Sequence, residues 1–478
     1  MKKLWKITLA AALALCVLSG CALAPVGMAE ALAAGSAASA EIDASVSARD
    51  ASGDYDAAEA VTLSPDGDLT ITEAGTYILS GVYENTMIVI DAGEEAKVQL
   101  VLANAEIRNE NGPAIYVRSA DKVFLTAAES TVNTISDGSD YTLSDGDTTL
   151  DAAVFSREDL TINGAGTLTI SGNYKHAVVS KDDLVVTAKD LTVTAVNVGL
   201  NGKDSVTISE AAVAVTAGSD GVRSENGEDE GKGFVSVSDS VLSITAGSDG
   251  VQAETVFAAE ESSITVSAGG KGIKAGFSLT ISGGTYRIDA LDDGLHTDGS
   301  LRIDGGELTI QSRDDAVHAD GMAEIADGTL ELTAAEGVEA TYILISGGEI
   351  TIAASDDGLN AARKSASYTP TVEISGGTLT ITMGAGDTDG VDSNGNVIIS
   401  GGTVSISGNS SFDYDGTASF TGGTVYVNGQ QVSTLPNQVM GGGMGGWGAQ
   451  GGYGGSPGSQ GGWGGQGGDQ GGWGGRRP

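Results

Sequence analysis

Between Gly199 and Gly358 one phrase returns about every 22 residues: a short apolar strand, a Gly-Gly corner, a second strand, then Asp-Asp-Gly-Leu or a close variant. The clearest copies are LTISGGTYRIDALDDGLHT (279–297), LRIDGGELTIQSRDDAVHA (301–319) and ILISGGEITIAASDDGLNA (343–361). A fixed period of this length is the signature of a solenoid, in which each repeat buries its apolar face only by stacking on its neighbours. The register is carried by a small residue at Gly199, Gly221, Gly250, Gly272, Gly294, Ala316, Gly337, Gly358 and Gly390, with weaker copies at Ala114, Ala153 and Ala177. Longer steps place insertions at about 117–151, 223–233 and 362–371, each expected to protrude from a corner.

Within a coil the apolar residues alternate, as in Leu279, Ile281 and Ile288, which is the strand period with one face buried. At about 3.3 Å per residue, 22 residues make a circuit of roughly 70 Å, enough for three short strands and their corners. Coils stacked about 4.8 Å apart pair each strand with its copies above and below. The expected fold is all-β: a right-handed parallel β-helix of a dozen or so coils, its hand taken from the crossover rule rather than from spacing. Gly283-Gly284, Gly305-Gly306, Gly347-Gly348, Gly376-Gly377 and Gly401-Gly402 fall at one corner, where positive φ costs glycine least.

Four segments are expected. Residues 1–20, with Lys2, Lys3 and Lys6 ahead of an apolar run, read as an export signal. Leu18-Ser19-Gly20-Cys21 resembles a bacterial lipobox, so Cys21 is the expected lipidation site; cleavage after Ala22-Leu23-Ala24, releasing a soluble protein, is the alternative. Cys16 lies inside the signal, so the mature chain has no disulfide. Residues 21–60 are small, polar and unpatterned and read as a flexible tether; 61–436 carry the β-helix; 437–478 are Gly-rich, with Trp447, Tyr453, Trp463 and Trp473, and read as a disordered tail. A formal charge of -40 argues against nucleic acid as a partner, because phosphate recognition runs on Lys and Arg. The chain is expected to be a monomer.

The acidic position just before the register residue holds Asp220, Asp249, Asp293, Asp315, Glu336, Asp357 and Asp389, with Lys271 in one coil; one place earlier stand Asp292, Asp314 and Asp356. Carboxylates stacked about 4.8 Å apart repel by roughly 3.5 kcal/mol per pair at an effective dielectric of 20. Salt and solvent lower that cost, yet repeated along several coils it calls for a counter-cation. Calcium suits a site built of oxygens. Two coils offer Asp292, Asp293, Asp314 and Asp315; another group is Asp356, Asp357, Asn360, Asp387, Asp389 and Asp392. A single Asp-Gly pair is explained as a turn former, so the doublets on adjacent coils carry the metal reading. With only His176, His296 and His318 and no available Cys, the pattern does not suit zinc. Two places after the register residue runs a second polar column: Arg223, Gln252, Lys274, His296, His318, Glu339, Asn360 and Asp392. Alternation points it outward beside the carboxylates, as a sugar-recognition strip or an ordinary solvated face.

From about Val61 to Val427 the chain resembles a clostridial family of secreted carbohydrate-binding proteins with a calcium-containing β-helix like that of the pectate lyases. The matching phrases are GTYILSGVYENTMIVIDAGEEAKVQLVLANAEI (75–107), NGPAIYVRSADKVFLTAAESTVNTI (111–135), SREDLTINGAGTLTISGNY (156–174) and DGVDSNGNVIISGGTV (389–404). The resemblance implies calcium-dependent, non-catalytic binding of acidic plant polysaccharide such as polygalacturonate, with cellulose as a further ligand. It also implies calcium at the corners of Asp292, Asp293, Asp314, Asp315, Asp356 and Asp357. Two other classes stand beside it. A calcium-dependent polysaccharide lyase would need a Lys or Arg to take the proton α to the uronate carboxylate, with Lys274 the first candidate and Lys271 the second. A structural adhesin would use the coils as a spacer and the Trp-bearing tail as the contact.

Overall fold

The computed structural model describes residues 42–64, 69–142, 149–385 and 388–437; the signal, Cys21, Asp387 and the Gly-rich segment lie outside these residues. The clear repeats set the plan. In one coil Ser278–Ser282, Thr285–Ala290 and Leu295–Thr297 are the three strands. Each pairs in parallel with its copy one repeat on, Leu279 with Leu301, Tyr286 with Leu308 and Leu295 with Val317. We call these the first, second and third ladders. They make a parallel β-solenoid of about 16 turns with about 22 residues per coil. A short hairpin ends it, where Thr424–Val427 pairs antiparallel with Gln430–Val432.

Inside the coils the alternation holds residue by residue. Along Thr285–Ala290 the odd positions are exposed while Tyr286, Ile288 and Ala290 are buried. Leu279, Ile281, Leu295, Ile303 and Ile310 are fully excluded from solvent in one continuous core. Each such aliphatic side chain contributes about 1.5–3 kcal/mol on burial, and in a solenoid that gain exists only at coil–coil interfaces.

The corner between the first and second ladders differs along the stack. In the early coils Glu210, Asp239 and Glu261 take the left-handed conformation there, and from Gly283 onward glycine does. Of the Gly376-Gly377 pair only Gly377 needs positive φ, at 76°. Gly376 is glycine for another reason: a Cβ there would lie 2.2 Å from the Ser346 carbonyl oxygen of the preceding coil.

Two expectations about boundaries are corrected. The insertion at 117–151 is not one loop, because Lys122–Ala127 and Val132–Asp137 are regular strands of the first and second ladders, paired with Asp159–Gly164 and Thr167–Gly172. The extra chain of that coil begins only after Asp137. The segment expected to be a flexible tether up to Ala60 is also partly docked. Ala48–Ser52 is a helix closed by a Ser47–Asp50 capping box. Its Asp50 carboxylate accepts from Thr161 Oγ1 at 2.5 Å and pairs with Lys122 Nζ at 2.9 Å, while Asn163 Nδ2 and Thr187 Oγ1 donate to the Asp50 carbonyl. Burial alone would raise the Asp50 carboxyl, but hydrogen bonds from Ser47 and Thr161 and the Lys122 ammonium hold it below the usual range. The helix thus clips to the outside of the first ladder.

Candidate functional site

The acidic column runs along the corner that leads into the third ladder. One oxygen of most of its carboxylates is already used structurally. Asp220 Oδ1 accepts the backbone N–H of Asp249 at 3.3 Å, Asp249 Oδ1 that of Lys271 at 2.8 Å, Asp293 Oδ1 that of Asp315 at 3.1 Å, and Asp357 Oδ1 that of Asp389 at 2.9 Å. Each aspartate therefore staples its coil to the next, which explains why Asp recurs at this position independently of any ligand. The second oxygen is what remains for a cation.

In the middle coils protein side chains supply that cation. Arg223 Nη1 lies 3.3 Å from Asp220 Oδ2, and its Nη2 pairs with Glu225. Lys271, which stands where its neighbours carry an acid, reaches into the next coil: its Nζ is 2.5 Å from Asp293 Oδ2 and 3.1 Å from Asp292 Oδ2. His296 Nδ1 meets the same Asp293 oxygen at 2.8 Å and its Nε2 lies 3.0 Å from Asp298. One coil on, His318 Nδ1 faces Asp315 at 2.7 Å and Glu339 at 3.0 Å, and Lys364 Nζ closes the group 2.8 Å from Glu339. The two imidazoles stack with centroids 4.7 Å apart and planes 15° from parallel.

The protonation states follow from these contacts. Burial would raise Asp293, but hydrogen bonds from His296 and Lys271 and the Lys271 charge hold it far below the usual carboxylate range. Burial would lower His318, yet its hydrogen bonds to Asp315 and Glu339 push it up to about 10, so the ring is an imidazolium at neutral pH. Lys271 is likewise raised: its carboxylate partners outweigh burial.

Of the first expected calcium group, Asp292, Asp293 and Asp314 do bring oxygens within 4.8 Å of one another, whereas Asp315 joins His318 and Glu339 instead. An ammonium and an imidazole already neutralise Asp293, a donor set unlike the all-oxygen shell that calcium takes. The second group differs. Asp357 is pushed up to about 7, first by burial and then by Asp392, Asp356 and Asp389. Asp392 is pushed up to about 6 by burial and by Asp389, Asp413 and Asp415. Asp413 and Asp415 were missed in the sequence because their coil has Ser410-Ser411 where its neighbours carry the acid and the register residue, although Asp413 stacks directly on Asp392. Among the described residues no Lys or Arg pairs with Asp356, Asp357 or Asp392. These carboxylates are shifted by their acidic neighbours with no basic side chain beside them, but they are not among the groups that bring three ligand atoms within 4.8 Å of one another, so a cation here would have to draw them together. Asn360 is the register partner of Asp392, and its Nδ2 donates to Glu336 Oε2 at 3.0 Å. Glu336 itself is pushed up to about 8 by burial together with Asp315 and Glu339.

The polar column exists as drawn from the repeat. Arg223, Gln252, Lys274, His296, His318, Glu339, Asn360 and Asp392 are successive partners in the third ladder. It is not an ordinary solvated face, since none of these residues is fully exposed and His318 and Glu339 are buried at 8% and 7% exposure. Ion pairs cover Arg223 and His296 within their own coils, and His318, Glu339 and Lys364 across coils.

A family model described as "Carbohydrate-binding domain-containing protein" matches residues 65–316 and 301–433. A carbohydrate-binding domain-containing protein of Acetivibrio thermocellus is 32% identical over 129 residues, which is 27% of this chain and 45% of that protein. The chain therefore matches less than half the length of this curated relative. A solved structure described as the polysaccharide lyase-like protein from C. thermocellum, gadolinium derivative, is 34% identical, covers 45% of this chain and 88% of its own, and superposes with a TM-score of 0.44.

Proposed function

Because the chain belongs to the family of carbohydrate-binding domain-containing proteins, we propose that it is a non-catalytic binder of acidic polysaccharide of the polygalacturonate type, and that it uses calcium to do so. The observation that carries this reading is the group around Asp357 and Asp392, which lie on adjacent coils with their carboxyls raised by burial and by neighbouring acids. Asp356, Asp357, Asp389 and Asp392, with Asp413 beside them, would hold the ion; Asp387 lies outside the described residues. Bound calcium supplies a charge that carboxylates of protein and sugar can share, which a chain of charge -40 otherwise lacks for an anionic ligand. In affinity electrophoresis, polygalacturonate is expected to retard the protein in calcium and far less in chelator. Equal migration with and without the polymer, calcium present, removes the proposal.

The lysines favour binding over a lyase reaction. Lys271 is held protonated by Asp292 and Asp293 and so cannot accept a proton from substrate. Lys274, half-buried between Gln252 and His296 on the third ladder, is the one expected base not already engaged in this way. Unsaturated uronide accumulating from polygalacturonate in calcium, and lost in Lys274→Gln, would establish the enzyme instead. Attachment of lipid at Cys21 would display the solenoid at the cell surface. Replacing Cys21 by Ala should then move the protein from the membrane fraction to the medium, and an unchanged distribution would favour simple secretion.

A further inference from the structure

The corner that leaves the third ladder carries a row of opposite sign. Tyr116, Phe155, Val179 and Asn201 are in register on four successive coils, so the residues two places on, Arg118, Arg157, Lys181 and Lys203, stack as well. The backbone bonds Arg157 N to Val117 O, Lys181 N to Ser156 O and Lys203 N to Ser180 O carry the ladder through these positions. All four side chains are exposed. Only 24 of 478 residues are Lys or Arg, so four in one row on consecutive coils is a concentration of positive charge found against the trend of the chain.

Their floor is unusual too. Val89, Tyr116, Phe155 and Val179 face outward yet are buried, forming with Leu150 and Ala152 an apolar cluster separate from the solenoid core. The cations lie over it. The Arg118 and Arg157 guanidinium carbons are 5.3 and 5.8 Å from the Tyr116 ring centre, Arg157 Nε donates to Tyr116 Oη at 2.8 Å, and Lys181 Nζ is 5.7 Å from the Phe155 ring centre. Contacts of this kind restrain long side chains without neutralising them. Acids do border the row: Asp91 is 3.3 Å from Arg118 and Asp204 is 3.5 Å from Lys203, with Glu158 and Asp182 next in sequence to Arg157 and Lys181. Even so, among the described residues neither Arg157 nor Lys181 makes an ion pair. Like charges one coil apart, about 4.8 Å, oppose each other even after screening by solvent and salt. A ligand with carboxylates in sequence relieves that repulsion.

We propose that Arg118, Arg157, Lys181 and Lys203 form a second subsite that grips the carboxylates of an acidic polysaccharide directly, without calcium. The inference rests on the acidic-polysaccharide reading above and adds a site at the opposite end of the same ladder from Asp357 and Asp392. A polyanion lying across the third ladder would meet fixed cations on the early coils and metal-bridged carboxylates on the late ones. Nucleic acid is a poorer occupant, because beyond this row the face turns acidic.

The test uses the full chain and polygalacturonate in chelator, where only the direct subsite can act. Wild type is expected to keep a weaker binding component that disappears at raised salt. Arg118→Gln, Arg157→Gln, Lys181→Gln and Lys203→Gln together should reduce that component about tenfold while leaving the calcium-dependent gain in place. Neutralising Lys97, Arg108, Lys189 and Arg287, exposed on the other two ladders or at the corner between them, changes net charge equally and should leave binding unaltered. If the quadruple variant melts early, the pair Lys181→Gln and Lys203→Gln gives the same reading at about threefold. Binding by wild type only in calcium, or an equal loss in the control variant, overturns the subsite and leaves the calcium reading standing. Absence of binding in both buffers overturns the two together.

Discussion

In calcium-free buffer the protein is expected to melt at least roughly 5 °C lower at pH 8 than at pH 5, and calcium added at pH 8 is expected to close the gap. The sign follows from the carboxyls that the fold raises. Asp357 moves from 3.8 to about 7, Asp392 from 3.8 to about 6 and Glu336 from 4.5 to about 8, in each case first through burial and then through neighbouring acids. A raised carboxyl binds its proton more tightly in the folded state. As pH climbs from the unfolded value, near 4, to the folded one, the unfolded chain ionises first and stability falls; above the folded value the full penalty applies. His318, raised from 6.5 to about 10, acts in the same direction, since its contribution is complete below about 6.5 and drains away toward 10. Asp293 is depressed, so its contribution is already complete at pH 5 and stays flat across the window. His176 opposes the trend: burial lowers it, and its penalty fades as pH rises toward 6.5. It is one group against several. Calcium at Asp357 and Asp392 would bind the ionised forms, so its stabilisation should grow with pH. Asp357→Asn with Asp392→Asn removes both the repulsion and the site, and that variant should melt above wild type at pH 8 in chelator and ignore added calcium. Calorimetric melts showing no pH gap, or a calcium response kept by the variant, would sink this account of the late coils.

How much of this could be read from the chain depends on which forces leave a local mark. Burial does, because a strand period repeated in register announces both the inward positions and the stacking, and Leu279, Ile288 and Leu295 fall where their spacing places them. Contacts between coils do not. Nothing near Lys271 in the sequence says that its ammonium lies on Asp293, a full coil away, and that single contact turns an expected oxygen cage into an ion-paired cluster with His296. Likewise the Asp before each register glycine reads as a turn former or a ligand. Its third role, accepting the next coil's N–H, appears only once the coils are stacked. The row of Arg118, Arg157, Lys181 and Lys203 escaped notice because three of those coils carry the weakest copies of the repeat, with Ala in place of Gly at the register and an insertion between two of them. The docked Ala48–Ser52 helix is too short to have a period at all, and Asp50 holds it through partners more than 70 residues away.

Gly294→Ala is expected to cost about 3 kcal/mol, and a second change, Ile310→Leu, to recover part of it. The backbone at Gly294 is one that any residue could adopt, so conformational freedom is not why glycine stands there. Space is. A Cβ would lie 2.3 Å from Ile310 Cγ2 and 2.7 Å from the Ala316 carbonyl oxygen, both on the coil above. The same geometry recurs at Gly221 against Ile244, Gly272 against Ile288, Gly358 against Ile381 and Gly390 against Ile406. Among the later coils one natural exception supports the cause. Ala316 occupies the register position one coil after Gly294, and there the second-ladder residue equivalent to Ile310 is Leu332, whose branch begins one carbon further out. From Gly221 to Gly390 a β-branched neighbour and a register side chain do not occur together, whereas in the early coils Ala114, Ala153 and Ala177 stand at the register with Ile135, Ile170 and Val193 in the equivalent place, so the competition belongs to the packing of the later coils. Because coils interact with nearest neighbours, the strain should stay local. Gly294 follows Asp293, however, so lifting it also pulls Asp293 Oδ1 from the Asp315 N–H and loosens Lys271 and His296 on the other oxygen. Denaturant melts of the single and double variants decide the matter: a Gly294→Ala protein as stable as wild type, or a double variant no better than the single, would mean that something other than this facing pair keeps the position empty.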